Sequence, residues 1–497
     1  MGLNGSVEML ASGRVGAASI AFLGLAAAAP IVTLVTVIPD VLAAGAGPLV
    51  PWTCAVAGLI LLLFCAGQAA MIRRLPSSGV AYSHVTLGLG RPAGLAAAWL
   101  AIAGYQTIQF GLYALAGLTA APLLSSFLGL TAPWWAVAAA CWAVVAICGP
   151  MRIEVAAGVL GLLAVAQATV LAGIGAAGVL QPFGGRVTTD SILLAGWPAL
   201  DRSAVGLLLA VAVLAFAGFE STAGYAEEGF QPRRSAGFGG YGAVLLIALL
   251  LGGVSWTMIV AAGPDRAATV ADTRGAELLF DLAAGRLAPW AVTLGRFVLF
   301  AGVLAGILAL HQVIARYLFA LGREGALPGV LGDVRRRTAA PRAASVTQSL
   351  IAGAALAGAW AAGAGPGPRT ARWLIVGGAL SLLVVLLLAA LATLLHLNRV
   401  PGPEGLWGRF LAPVLALVSL GAVAFLAFGD LPALLGMPAG FALVKAIPAG
   451  LAVGVLVGVG HALLVGRPSA AAPRIPRQRD PGAHRPERIT QRSPGPG

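Results

Sequence analysis

The sequence predicts an all-α polytopic membrane protein with about twelve transmembrane helices, on three observations. First, the 497 residues are 59% hydrophobic and only 10% charged, against about 25% charged in soluble proteins. With a mean hydropathy of +0.92, this excludes a soluble globular protein. Second, eleven runs lack Asp, Glu, Lys and Arg: 15–39, 41–72, 92–151, 155–185, 203–219, 235–264, 297–315, 343–368, 373–398, 410–429 and 446–466. A span needs roughly 20 apolar residues. Most runs therefore hold one helix, and the 60-residue run 92–151 holds two, hinged near Thr131-Ala-Pro-Trp134. Third, basic residues cluster in alternate connections, as they do where loops alternate between the two sides of a bilayer.

In chain order the predicted spans are 16–40, 50–72, 93–120, 133–149, 153–179, 204–226, 237–262, 291–321, 343–362, 373–396, 410–428 and 438–465. Segment 268–287, with Ala, Leu and Phe on one side, reads as a short external helix. Residues 467–497 are rich in Pro, Arg and Ser. A segment so poor in large apolar residues is expected to be a disordered, solvated tail, with contact to anionic lipid heads as the alternative.

The basic clusters are Arg73/Arg74/Arg91, Arg152, Arg233/Arg234, Arg323 to Arg342, Arg399/Arg409, and seven arginines from Arg467 onward. The other connections hold few, offset by acids such as Asp190, Asp265 and Asp281. The positive-inside rule then puts both termini in the cytoplasm, residues 1–15 included. The net charge of +13 is a property of loop ends rather than one folded face, which argues against nucleic-acid binding. High Ala, Gly and Arg content with a single lysine, Lys445, is a compositional hint of a GC-rich bacterial genome. The bacterial inner membrane is the expected location. Cys54, Cys65, Cys141 and Cys148 lie in apolar runs without metal-ligand spacing and read as small core residues. Met1 to Arg14 is polar and the next apolar run is too long for a cleaved signal, so no signal peptide is expected.

The most informative stretch runs from Phe216 to Arg234. It places a carboxylate, Glu220, at membrane depth beside Gly218 and Gly224. A charge there is costly and faces a partner or a water-filled cavity. Glycines around it point to a helix that unwinds at the midplane, as in many transporter substrate sites. Span one carries a counterpart, Gly24-Leu-Ala-Ala-Ala-Ala-Pro30, small residues closed by a helix-breaking proline. Five helices separate the two starts, so the segments belong to halves of opposite orientation. Interrupted helices at matching positions of inverted halves mark a binding site; an ordinary proline kink at Pro30 is the plainer alternative.

The Gly-Phe-Glu…Glu-Glu…Pro-Arg-Arg pattern of 218–234 resembles span six of the amino acid–polyamine–organocation permeases. Ala315-Arg-Tyr-Leu-Phe-Ala-Leu-Gly-Arg-Glu-Gly-Ala-Leu-Pro328 resembles that superfamily's exit from span eight. Arg73-Arg-Leu-Pro-Ser-Ser-Gly-Val-Ala-Tyr82 resembles its link between spans two and three, and Gly45-Ala-Gly-Pro48 its entry to span two. These matches cover roughly 15–345 in order. The resemblance implies a five-plus-five inverted repeat (16–179 and 204–396), two peripheral spans (410–465), and amino acid transport by alternating access. One departure stands out: span eight has no Ser or Thr between Phe297 and Tyr317. A sodium site between spans one and eight of this fold normally uses such hydroxyls, and sodium prefers oxygen ligands. Coupling therefore shifts toward protons. Span five lacks the lysine that replaces sodium in some relatives; Gln167 is its only notable mid-span group.

The candidate substrate site comprises Ala26, Ala27, Ala28, Ala29 and Pro30 of span one, Ala217, Gly218, Phe219 and Glu220 of span six, and Gln106 and Gln109 of span three. Half-helix N-termini can hold a substrate carboxylate without a charged side chain. Free carbonyls at the span-six break suit an ammonium, and Phe219 is placed to close over it. Glu220 has three readings: contact with the substrate amine, carriage of a coupling proton, or bracing of unwound backbone. His311, beside Gln312, is either a satisfied core residue or a group for proton coupling. Gln106, Gln109 and Tyr113 share one helix face, and either line the cavity or bind helices together. Glu227 and Glu228 read as a solvated charge run, with a gate of ion pairs to the loop arginines as the alternative.

No metal cluster, nucleophile–base pair or phosphate loop appears, so neither cofactor, metal nor enzymatic activity is expected. The expected partners are a small amino acid or amine, a proton and membrane lipid. A neutral amino acid is favoured by the small, apolar pocket residues. The rivals are an exchanger without ion coupling, a channel, a membrane enzyme and a non-transporting sensor. A channel would show charge rings in symmetric oligomers, and an enzyme a sizeable exposed catalytic loop. The orientation has a direct test. Engineered cysteines at 268–285 are expected to react with an impermeant label added outside intact cells, and those at 329–340 are not. Labelling of the second set would invert the topology.

Overall fold

A computed structural model describes residues 10, 12–193, 202–334, 340–365, 367–438 and 440–465. The basic tail expected over 467–497 lies outside the described residues. The chain is an all-α bundle, with no strand among the described residues beyond one isolated bridge, Val15 to Gly229. Ten described segments are long and apolar enough to cross a bilayer. Two further helices fall where spans four and nine are expected: Trp134–Cys148, apolar but 15 residues long, and Arg342–Ala361.

The break in span one has a local cause. Pro30 has no N–H, and its ring disfavours α geometry at the residue before it. The first half, Ala17–Ala28, stops at Ala29, which takes a left-handed conformation with φ 45°. Pro30 then opens the second half, Pro30–Thr36, at the one helical position that tolerates it. Span six breaks differently. Its helix, Arg202–Leu214, tightens into turns over 215–218, and a 3-10 segment, Phe219–Tyr225, follows. Gly218 there has φ +114°.

The two breaks meet. A Cβ on Gly218 would lie 2.7–2.9 Å from backbone atoms of Ala27 and Ala28, and one on Gly24 would lie 2.6 Å from the Thr222 methyl. Only glycine allows both approaches. Around this crossing, span one packs on spans five, seven and eight, while span three packs along span ten. Span twelve, Ala442–Leu464, touches the bundle chiefly through span three.

Two elements depart from expectation. The helix anticipated over 268–287 is two helices, Ala267–Arg274 and Leu278–Ala284, because Gly275 takes φ +50° and ends the first. The link after span two, without a helix in the sequence reading, contains Val80–Leu89. Val80 opens that helix at φ 47°, a strained geometry for a β-branched residue.

Gly218→Ala is expected to lower the thermal midpoint of the purified protein. The positive φ alone costs about 1–2 kcal/mol, and the added methyl meets backbone that has no room to move. Gly253→Ala, whose new methyl meets nothing within 4 Å, should leave the midpoint unchanged or slightly raised. Equal midpoints for the two variants would show that the breaks do not need their close approach.

Candidate functional site: a cleft between two broken helices

A cleft of about 70 Å³ lies against the crossing. Ala27, Ala28 and Ala29 form one wall and Ala215 and Ala217 another; Ile375 of span ten closes a third side, and Arg372 sits at one end, paired with Asp40 of span one. Its walls are almost wholly apolar. Exposed half-helix N-termini carry partial positive charge, so the break in span one supplies polarity that the side chains do not.

Of the predicted site residues, Ala27, Ala28, Ala29 and Ala217 line this cleft. Ala26, Pro30, Gly218, Phe219 and Glu220 are packed behind its wall. Phe219 is fully buried and meets Phe64 edge-on, with ring centres 6.0 Å apart. Glu220 is 2% exposed. Its carboxylate accepts the Gly218 N–H at 3.0 Å and the Tyr105 hydroxyl at 2.8 Å. It thus satisfies the backbone donor at the residue where the helix unwinds.

The span-three glutamines lie elsewhere. Gln109 donates to the Ile307 carbonyl at 2.9 Å, and Gln348 of span nine donates to Gln106 at 2.7 Å and Gln109 at 2.9 Å. They tie spans three, eight and nine together. His311 sits 2.9 Å from the Ser345 hydroxyl, and Gln312 donates to the Gly149 carbonyl at 2.8 Å; both join span eight to its neighbours. Gln167 is buried near Gly302 of span eight, and its amide nitrogen finds no protein partner among the described residues.

The acidic pair after span six corrects the sequence reading. Glu227 and Glu228 are buried rather than solvated, and their partners are span-eight arginines rather than Arg233 and Arg234. Glu228 holds Arg316 at 2.9 Å, both side chains 2% exposed. Arg316 also donates to the Gln312 carbonyl and side-chain oxygens, each at 3.0 Å, and lies over the Tyr225 ring at 4.2 Å. Glu227 takes two bonds from Arg323, at 2.7 and 3.0 Å, and the Ser78 N–H at 2.8 Å. Beside them Tyr82 donates to Glu324 at 2.7 Å. The Glu228 carbonyl accepts the Arg14 N–H at 2.8 Å, stitching the chain's start to this end. Spans one, six and eight and the Val80–Leu89 link are thus locked together at the arginine-rich end. Arg316, inside a span with so few charges, was the signal in the sequence that could have identified this lock.

A bilayer-spanning helical bundle with a cleft between two opposed helix breaks has the architecture of a small-molecule transporter. The family model described as amino acid permease matches residues 10–456, and the chain belongs to that family, part of the amino acid–polyamine–organocation superfamily. The chain has no significant match among curated proteins.

Burial alone would raise the Glu227 carboxyl; the hydrogen bonds and charge of Arg323, with the Ser78 N–H, outweigh it and hold Glu227 below the usual carboxylate range. Its contribution is therefore present at neutral pH and lost as pH falls below the ordinary Glu value of about 4.3. Thermal melts are expected to show acid destabilisation that Glu227→Gln reduces. Glu228→Gln, which strands the Arg316 charge, should cost about 3–5 kcal/mol at neutral pH. Wild-type stability in Glu228→Gln would deny the pair its structural role.

Proposed function

We propose that the protein carries amino acids across the bacterial inner membrane by alternating access, driven by protons, with small neutral amino acids as substrates. The observation that carries this reading is the alanine-walled cleft at the crossing of two helix breaks. Small side chains let a ligand approach backbone. The span-one break offers N–H groups to a substrate carboxylate, and carbonyls of the span-six turns suit its ammonium. The narrow apolar walls favour a small side chain.

In this reading the halves 16–179 and 204–396 form an inverted repeat, and both termini are cytoplasmic. The Glu227–Arg323 and Glu228–Arg316 pairs then close the cytoplasmic end, and they must part for substrate to leave on that side. Arg372 and Asp40 stand at the other end. Sodium coupling is disfavoured because span eight offers no hydroxyl between Phe297 and Tyr317. A second reading, exchange without ion coupling, is favoured by one observation: Glu220 and His311, the two candidates for a coupling proton, both have local structural partners.

Proteoliposome uptake tests both. Labelled small neutral amino acids are expected to accumulate under a proton gradient and show no dependence on sodium at fixed pH. Steep sodium dependence would contradict the reading of span eight, and counterflow without any gradient dependence would favour the exchanger. Ala28→Trp is expected to abolish binding while leaving insertion intact. Glu220→Gln separates the roles of that carboxylate. Loss of driven uptake by at least tenfold in a folded protein identifies a charge change at Glu220, and near-normal uptake identifies a brace, since an amide still hydrogen-bonds.

A further inference from the structure

A second cavity, about 460 Å³, opens at the arginine-rich end between spans two, seven and eleven. Arg73, at the end of span two, and Arg233 and Arg234, just before span seven, line it together. All three are exposed, and none has an ion-pair partner among the described residues. The cavity does contain an acid, Glu404, but Arg74 already holds it, with Nε 3.1 Å from one oxygen. Three guanidinium groups thus surround one pocket whose acid is already paired with Arg74, so the lining carries an excess of positive charge.

The rest of the lining is apolar. Ala66, Ala69 and Gly237 make the floor toward the membrane interior, and Phe238 and Trp407, 63% and 56% exposed, flank the opening. Trp407 begins a π-helical turn, Trp407–Leu411, that starts span eleven; such turns are frequent at functional sites. Exposed aromatic rings at a span end belong at the headgroup level of the bilayer. Guanidinium groups bind phosphate bidentately, and basic pockets between spans receive anionic lipid heads. A free soluble anion would have no use for the apolar floor and its aromatic rim.

We infer that this cavity is a binding site for an anionic phospholipid of the phosphatidylglycerol type. Its phosphate sits among Arg73, Arg233 and Arg234, its glycerol region lies near Tyr241 and Trp407, and an acyl chain runs along Ala66, Ala69 and Phe238. Because span seven packs on both spans one and two, the lipid bridges the span-two and span-seven ends next to the Glu227–Glu228 lock.

Purified full-length protein in neutral detergent, titrated with dioleoyl phosphatidylglycerol and read by native mass spectrometry, tests this. Phosphatidylcholine with the same chains, and inorganic phosphate as a competitor, form the other arms. Phosphatidylglycerol is expected to be retained at least tenfold better than phosphatidylcholine, with inorganic phosphate displacing little. At about fivefold per arginine, Arg73→Gln/Arg233→Gln/Arg234→Gln should weaken retention on the order of 100-fold. The unliganded variant's thermal midpoint checks folding, and if the triple variant is unstable, Arg73→Gln alone should show the fivefold step. Equal retention of the two lipids, or full retention by the folded variants, overturns the assignment. Displacement by inorganic phosphate at equal concentration makes the cavity a soluble-anion site and overturns the lipid reading as well.

Discussion

The structure depends on one constraint: backbone unwound at membrane depth has no water to satisfy it. At the span-six break the answer is a carboxylate. Glu220 accepts the Gly218 N–H, and Tyr105 of span three anchors the other side of the same group. At the span-one break the answer is chemical subtraction, since Pro30 has no N–H to satisfy. The two breaks then shield each other, with Gly218 against the backbone of Ala27 and Ala28. An open cleft persists beside them because the residues on its walls are too small to fill it.

The ends of the bundle are held by unlike means. At the arginine-rich end a fully buried ion pair, a partly buried one, a tyrosine–carboxylate bond, a cation–π contact and a backbone bridge connect four elements. Buried pairs add little net stability over apolar packing, but they have discrete made and broken states. That property suits a closure that must open and reseal, whereas an apolar seal would slide. The strained φ of Val80 lies in the same region, next to the Ser78 N–H that Glu227 holds. At the other end the Arg372–Asp40 pair is more exposed, as are Arg274–Asp281 and Arg296–Glu277 at the connection between spans seven and eight.

Much of this was legible in the sequence. The spans follow from charge-free runs, since a bilayer tolerates so few charges. Both breaks follow from local chemistry, proline after alanines in one case and glycines around a buried carboxylate in the other. What escaped was long-range pairing. The sequence showed Glu227 and Glu228 beside Arg233 and Arg234, and proximity along the chain suggested solvated charges; the fold instead brings Arg316 and Arg323 across from span eight. Gln106 and Gln109 were legible as polar residues on one face, but not as partners of Gln348, 239 or more residues away. The Val80–Leu89 helix escaped because a β-branched residue at positive φ starts it, which propensity does not foresee.

The central claim is that the cleft between the breaks receives the substrate. In a background with the four native cysteines replaced, alkylation rates at Ala28→Cys and Ala217→Cys measure it most directly, with Ala357→Cys as a distant control. A mixture of the twenty amino acids should slow alkylation severalfold at both cleft positions and leave the control unchanged. Unchanged rates at Ala28→Cys and Ala217→Cys, in a protein that still transports, would place the substrate elsewhere and contradict the account.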